Sequence, residues 1–554
     1  MKPGYKIAIG LLVCVLIAVG AYFWANALMD SVYAFRSPLQ ENPPQPGMNL
    51  DLPLTNRLVF VLIDALRDDT SHKPEVMPFL NALRGQGAWA TMHSRPPSYS
   101  SPSWAVLMIG AWPDLSDGPA MNPESDDIPT WTQDNLFSAA HRSGLKTAVS
   151  GYFWFEHFIP GGAVDAGYFT QGEDSLADRQ VVDAAIPWLQ SGEYEFILIH
   201  LDQVDYAGHY EGGPRSPNWD AAATRSDNLL REIASYLDFG QDTLVVLSDH
   251  GQIDQGGHGG QDPIVLVEPF VMVGAGVAPG QKADIQMVDV APTMAALLGT
   301  NLPAAAQGRV LREFLTLSPE QESMIHDTEA AQKAHLLSVY QSAIGVRADE
   351  QPATDTTSDI VEAMEAAQAK RLRTERVPRF ALATFIALVP LGVMVWKRGK
   401  TLLWLLGGVV LYLAIFHTNY ALISERTYSL SSVKDAMDII LSTLANAAIS
   451  IGIAWLVISF VLGVFLNTPG RAAGLTLGFI FVVLYFLLLP VLWSYAWNGA
   501  LVTWTLPDFA SMFFAFISLL QILVVAFLGL LLPGLSALIS VMVNRRGRAK
   551  VEVL

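Results

Sequence analysis

The chain has 554 residues, 51% of them apolar and 16% charged, with a net charge of −18 and a mean hydropathy of +0.33. That is too apolar for an ordinary soluble protein and too charged for a bare membrane bundle, so both parts are expected in one chain. The charge is partitioned: residues 380–554 hold 5 acids and 10 bases, residues 1–29 hold 2 bases, and the remainder holds 47 acids against 22 bases, a net −25. So acidic a segment is repelled by polyphosphate backbones, which argues against nucleic acid as a partner. The one cysteine, Cys14, lies in an apolar run, so intrachain disulfides and thiolate metal clusters are excluded.

Residues 7–29 form a charge-free run of 23 residues after Lys2 and Lys6, long enough to cross a ~30 Å hydrocarbon core. No small-residue cleavage site follows in the expected place, so residues 1–30 are read as an uncleaved anchor. From residue 51 to about 315, short β-branched runs alternate with helical stretches and glycine-rich turns. This is the pattern of an α/β domain, a mostly parallel sheet flanked by helices.

Three runs in it end their apolar stretch in acids or histidines: RLVFVLIDALRDD from Arg57, EFILIHLDQVDYAGH from Glu195, and TLVVLSDHGQIDQGGHGG from Thr243. In open α/β sheets ligands bind at the carboxyl ends of the strands, so Asp64, Asp205 with His209, and Asp249 with His250 are expected to meet. One aspartate at a strand end is commonly a helix cap, but three coinciding strands are not explained that way. With His258, eight residues beyond His250, the set offers six oxygen and nitrogen ligands, suited to two zinc-like divalent ions. A nucleophile is sought in HSRPPSYSSPSWAVLMIG from His93, where serines precede an apolar helix ending at Gly110. Taken alone, that segment reads rather as a Pro/Ser-rich loop with a capping serine.

Together these motifs resemble the alkaline phosphatase superfamily, and within it the type I phosphodiesterase/nucleotide pyrophosphatase group, especially the GPI ethanolamine phosphate transferases. The likeness rests on VLIDALRDD, the Pro-Ser-x-Ser loop ten residues before a glycine, HLDQVDYAGHYEGG, SDHGQIDQGGHGG, and QMVDVAPTMAALLGTNLP followed by Gly308 and Arg309, about residues 57–311. The resemblance implies that Asp64, Asp249 and His250 hold one zinc beside the nucleophile, that Asp205, His209 and His258 hold the other, and that Ser100 is the nucleophile and touches metal. The implied chemistry is phosphoryl transfer through a phospho-serine, from a membrane lipid to a lipid or glycolipid acceptor or to water. Phosphoethanolamine is the implied head group. The chain departs from the family in using serine where many relatives have threonine, in carrying Ser103 where some phosphodiesterases place an asparagine, and in a short membrane region. Ser100-Ser101-Pro102-Ser103 also partly resembles the sulfatase signature, with Trp104 where its arginine should stand. A transporter or an inactive scaffold is the rival from another class.

The aromatic cluster GYFWFEHF from Gly151 reads as a core strand and turn, with a lipid-contacting lip as the alternative. Beyond the domain at 31–315, a helical connector is expected over 316–379, with helices at 316–345 and 357–376 and a flexible break between them. A bundle of about five helices follows over 380–554, with spans at 380–396, 401–416, 439–466, 475–495 and 509–543, the last two interrupted by Pro490 and Pro533. With both termini inside, Lys2, Lys6, Lys397, Arg398, Lys400, Arg471, Arg545, Arg546, Arg548 and Lys550 all fall on the cytoplasmic side and the acidic domain lies outside. Lys370, Arg371, Arg373, Arg376 and Arg379 crowd the outer end of the second span, where anionic headgroups are the expected partners. No Asn-x-Ser/Thr sequon occurs, which points toward a bacterial plasma membrane.

Overall fold

The three apolar runs become adjacent strands at the centre of one sheet. The computed structural model describes residues 3–123, 128–346, 357–396 and 399–551. Lys2, Lys397, Arg398 and residues 347–356 of the expected break lie outside the described residues, as do the side chains of Arg546, Arg548 and Lys550. The chain divides into two compact units, one of residues 32–373 with 503–506, the other of residues 1–31, 374–502 and 507–554.

The first unit is built on an eight-stranded sheet: β1 Arg57–Ile63, β2 Ala88–His93, β3 Thr147–Tyr152, β4 Ala166–Thr170, β5 Phe196–Leu201, β6 Asp242–Leu247, β7 Val267–Gly274 and β8 Lys282–Gln286. Their order is β4-β3-β5-β1-β6-β7-β2-β8, and only β7 runs against the rest. In β1 every residue is buried, with Leu58, Phe60 and Leu62 on one face and Val59, Val61 and Ile63 on the other. Helices cover both faces of such a strand, so its sequence is a continuous apolar run without alternation. Helices Pro78–Arg84, Ser175–Ser191 and Pro217–Ala234 pack on the Val59 side, and Ser100–Ile109, Leu136–Arg142 and Val290–Leu298 on the Phe60 side. The aromatic cluster ends β3 and then forms the short helix Trp154–Phe158, whose Phe155 and Phe158 are fully buried.

The first helix of the expected connector, Pro319–Ala343, belongs to this core, into which Ile325, Leu336, Leu337 and Tyr340 pack. Its start carries a capping box, Ser318 and Gln321 exchanging hydrogen bonds. The second is continuous with the following apolar segment in one 40-residue helix, Thr357–Trp396.

Six helices among the described residues are long and apolar enough to cross a membrane: Gly4–Tyr33, Ile360–Trp396, Lys400–Ile423, Ala436–Val461, Pro469–Asn498 and Phe509–Arg545. The expected span 439–466 stops short, at Val461, because Gly463 takes a left-handed conformation (φ 56°) and the chain turns. Pro490 and Pro533 do not break their helices. Of the basic cluster, Arg371 donates to Ile344 O (2.9 Å) and lies over Trp504, Arg376 lies over Trp497 (3.7 Å), and Arg379 pairs with Glu375. Arg371, Arg376 and Arg379 therefore have partners inside the protein.

Candidate active site

The sheet order explains how residues far apart in sequence meet. β5, β1 and β6 are neighbours and parallel, so their carboxyl ends open on one edge. Asp64 follows β1 directly, Asp205 and His209 lie on helix Gln203–Tyr210 after β5, and Asp249 and His250 follow β6. His258 arrives on the loop beyond, where Gly259 (φ 105°) leaves no room for a Cβ, which would sit 2.2 Å from the Tyr99 ring. Ser100 opens helix Ser100–Ile109. Gly110 closes that helix in a left-handed conformation against Ala306, Pro292 and Val288, so the ten-residue interval equals the helix length.

All seven candidates gather in one cleft, as two adjoining clusters. In the first, His250 Nε2 lies 3.4 Å from Asp64 Oδ1, 3.5 Å from Asp249 Oδ2 and 3.2 Å from Ser100 Oγ. In the second, the Nε2 atoms of His209 and His258 are 3.0 Å apart, at 3.4 and 3.5 Å from carboxylate oxygens of Asp205. The clusters meet where the His250 and His258 rings stack, 3.9 Å between centroids. Among the rival serines, Ser98 is spent on the Gly259–Gly260 backbone, Ser101 Oγ is buried without a partner, and only Ser100 has its hydroxyl on a candidate ligand.

The local electrostatics suit cations. Burial first, then Asp249, Asp202 and Asp205, push the Asp64 carboxyl well above the usual carboxylate range. Burial also opposes the charge on Asp205, but His209, His258 and His250 together hold it below that range. Burial and the neighbouring His250 hold His258 well below the ordinary imidazole value, so it is neutral with a lone pair to offer. Asp64 Oδ1 is buried with no hydrogen-bond partner. Three carboxylates, three imidazoles and a hydroxyl, with one buried oxygen orphaned and two imidazole nitrogens converging, fit divalent metal ions. Asp64, Asp249 and His250 form one possible ligand group, Asp205, His250 and His258 a second, and Asp64, His200 and Asp202 a third.

Four neighbours received no role from the sequence, although His200 and Gln252 lie inside its motifs and Trp104 beside the serines. His200, in the middle of an apolar strand, places Nε2 2.9 Å from Asp64 Oδ2, and the Trp104 indole donates to Asp249 Oδ2 at 2.8 Å. Gln252 donates to Asp205 Oδ1 at 2.6 Å. Asn122, from the loop after the serine helix, accepts from Ser101 N at 3.0 Å. An asparagine therefore stands beside the serines, 22 residues along the chain from Ser100. The next residue, Pro102, has no N–H, so of the first helical turn only the Ser100 N–H is left for an anion. Asp249 Oδ1 accepts from Ala65 N (3.1 Å), and Ala65 takes φ 59° to aim that group, a conformation that costs a non-glycine residue about 1 kcal/mol or more.

The GPI ethanolamine phosphate transferase 3 catalytic subunit of Homo sapiens is 27% identical over 367 residues, covering 58% of this chain and 33% of that protein. GPI ethanolamine phosphate transferase 2 of Candida albicans is 26% identical over 344 residues, covering 58% of this chain and 37% of its own length. The chain thus spans about a third of the length of these relatives. Among solved structures, human ectonucleotide pyrophosphatase / phosphodiesterase 5 matches at 15% identity and a TM-score of 0.37, over 44% of this chain and 95% of that one. The family model described as type I phosphodiesterase / nucleotide pyrophosphatase matches residues 58–341, the sheet and all seven candidate residues included, and the chain belongs to that family.

Proposed function

We propose that this chain is a membrane-embedded, metal-dependent phosphotransferase or phosphodiesterase that works on a lipid-linked phosphodiester through Ser100. The observation that carries the reading is the Ser100 hydroxyl set 3.2 Å from His250 at the rim of two adjoining clusters of carboxylates and imidazoles. The names of the relatives point to phosphoethanolamine as the group moved and a glycolipid as acceptor. Asp64, Asp249 and His250 would hold one divalent ion and Asp205, His209 and His258 the other, and the mixed nitrogen and oxygen donors favour zinc. When bound, such ions lower the pKa of a hydroxyl they touch and offset charge on phosphoryl oxygens.

Ser100 Oγ loses its proton and bonds to phosphorus while the bond from phosphorus to the lipid alkoxide breaks. The departing oxygen takes up a proton, leaving a phospho-serine. An acceptor hydroxyl, from a glycolipid or water, then attacks from the vacated side, loses its proton, and restores the Ser100 hydroxyl. Asn122 accepts from Ser101 N through its oxygen, which leaves its amide N–H groups as donors for a phosphoryl oxygen.

The reading keeps an anchor at 1–30 and a carboxy-terminal membrane part from 380, and extends the catalytic part from 31–315 to take in helix Pro319–Ala343, with the catalytic part outside the cytoplasm. The positive charges at the opposite helix ends support that orientation. Tethering near a bilayer raises the effective concentration of a lipid substrate. The sulfatase-like reading is not favoured, since Trp104 stands buried in the arginine's place. Neither is an inactive scaffold or transporter, since the donor set and hydroxyl occur together. Incubating the purified protein with labelled phosphatidylethanolamine and a lipid extract should give a labelled product that Ser100→Ala does not form. Equal labelling by both proteins would refute the reading.

A further inference from the structure

Resting on the reading of the cleft as a metal centre, we propose that Trp104 and His200 are a positioning pair that fixes the two carboxylates of one metal site and leaves the other site untouched. Trp104 is 1% exposed, and its indole N–H donates to Asp249 Oδ2 at 2.8 Å. Asp249 Oδ1 takes the backbone N–H groups of Ala65 and His250, so both oxygens of this carboxylate are held in place. His200, equally buried, sits 2.9 Å from Asp64 Oδ2 through Nε2, and its Nδ1 is buried with no partner. A proton on Nδ1 would be an orphaned buried donor, so the proton belongs on Nε2 and is donated to Asp64. That bond occupies Oδ2 and turns the unpartnered Oδ1 toward His250.

The two donors also brace each other. The Trp104 ring meets the His200 ring edge to face, 4.7 Å between centroids, and lies flat on Phe155 at 4.3 Å. Neither ring can turn without the other, and the indole cannot tilt off Asp249 without leaving Phe155. The second cluster has a different support, since Gln252 donates to Asp205 and Ser98 O meets His258 Nδ1 at 3.0 Å. Outer donors of this kind typically change metal affinity 10- to 100-fold when removed.

The test titrates zinc against a chromophoric chelator in the purified full-length protein and its variants. Trp104→Phe and His200→Leu should each weaken one of two zinc equivalents by about 10-fold or more and leave the other unchanged. His200→Gln, which keeps a donor, should bind the weakened equivalent more tightly than His200→Leu. Trp131→Phe is the packing control: that indole is also buried against Phe158, but its N–H has no partner, so both equivalents should stay as in the wild type. Wild-type affinity for both equivalents in Trp104→Phe, or equal weakening by Trp104→Phe and Trp131→Phe, overturns the proposal. No zinc bound by the wild type would instead remove the metal reading beneath it.

Discussion

The two units bury polar groups in opposite ways. In the α/β unit the buried set includes Asp64, Asp249, His250, His258, Glu268 and the pair Lys333–Glu329. In the membrane-type unit, every polar side chain buried among the described residues is neutral: Thr443, Asn446, Ser450, Thr476, Gln521 and Ser536 are examples. Short hydroxyls and amides there join helices, as Thr476 meets Ser536 at 2.7 Å and Tyr412 meets Gln521 at 2.8 Å. Carboxylates and imidazoles stripped of water are costly unless something compensates them, whereas a hydroxyl is satisfied by one neighbour. The difference teaches that a cluster of buried charge, unlike a single pair such as Lys333–Glu329, marks where chemistry is done, and scattered neutral hydrogen bonds mark where helices are held together.

The sharpest way to break that comparison is Ser100→Ala. Turnover of a chromogenic phosphodiester should fall by roughly three orders of magnitude or more while thermal unfolding is unchanged. A variant that retains near wild-type rates, with a neighbouring serine variant dead, would move the nucleophile elsewhere. Next in size, a strong chelator should remove activity, zinc should restore it, and elemental analysis should return close to two equivalents. Activity indifferent to chelation would mean that the charged cleft is not a metal centre.

Core and bundle should also differ in stability. Phe60→Ala empties a fully buried position on β1 and should cost about 3–5 kcal/mol, read by denaturant unfolding of the α/β unit. Thr476→Val removes hydrogen bonds to Ser536 and Trp455 and should cost about 0.6 kcal/mol, read by detergent-titrated unfolding. A larger loss at Thr476 than at Phe60 would reverse the comparison.

Much of this was legible in the sequence because it is written in local pattern. Largely apolar runs ending in acids marked β1, β5 and β6, since strands buried on both faces are apolar at most positions. Apolar stretches of membrane length marked six helices, because a helix crossing a hydrocarbon core needs about 20 mostly apolar residues. The Ser100 to Gly110 interval was read from the family resemblance, and in the structure it is the length of one helix that a left-handed glycine closes. Helix Pro319–Ala343 was read as a connector because its sequence carries a weak apolar stripe. Its docking into the core depends on a surface that other segments build.

The outer contacts of the cleft were decided only by the tertiary structure. Trp104 on Asp249, His200 on Asp64, Gln252 on Asp205 and Asn122 on Ser101 N join residues 21 to 145 positions apart. A donor reaching a carboxylate across such an interval leaves no periodicity and no composition signal. It exists because the order β5-β1-β6 brings three strand ends together and the packing of Trp104 between Phe155 and His200 fixes where its N–H points. The sequence by itself determined which acids, histidines and serines to look for in the cleft and which helices are apolar enough to span. Which oxygen of each carboxylate is held, and by what, was settled by the fold, because hydrogen-bond direction depends on three-dimensional placement and not on residue type.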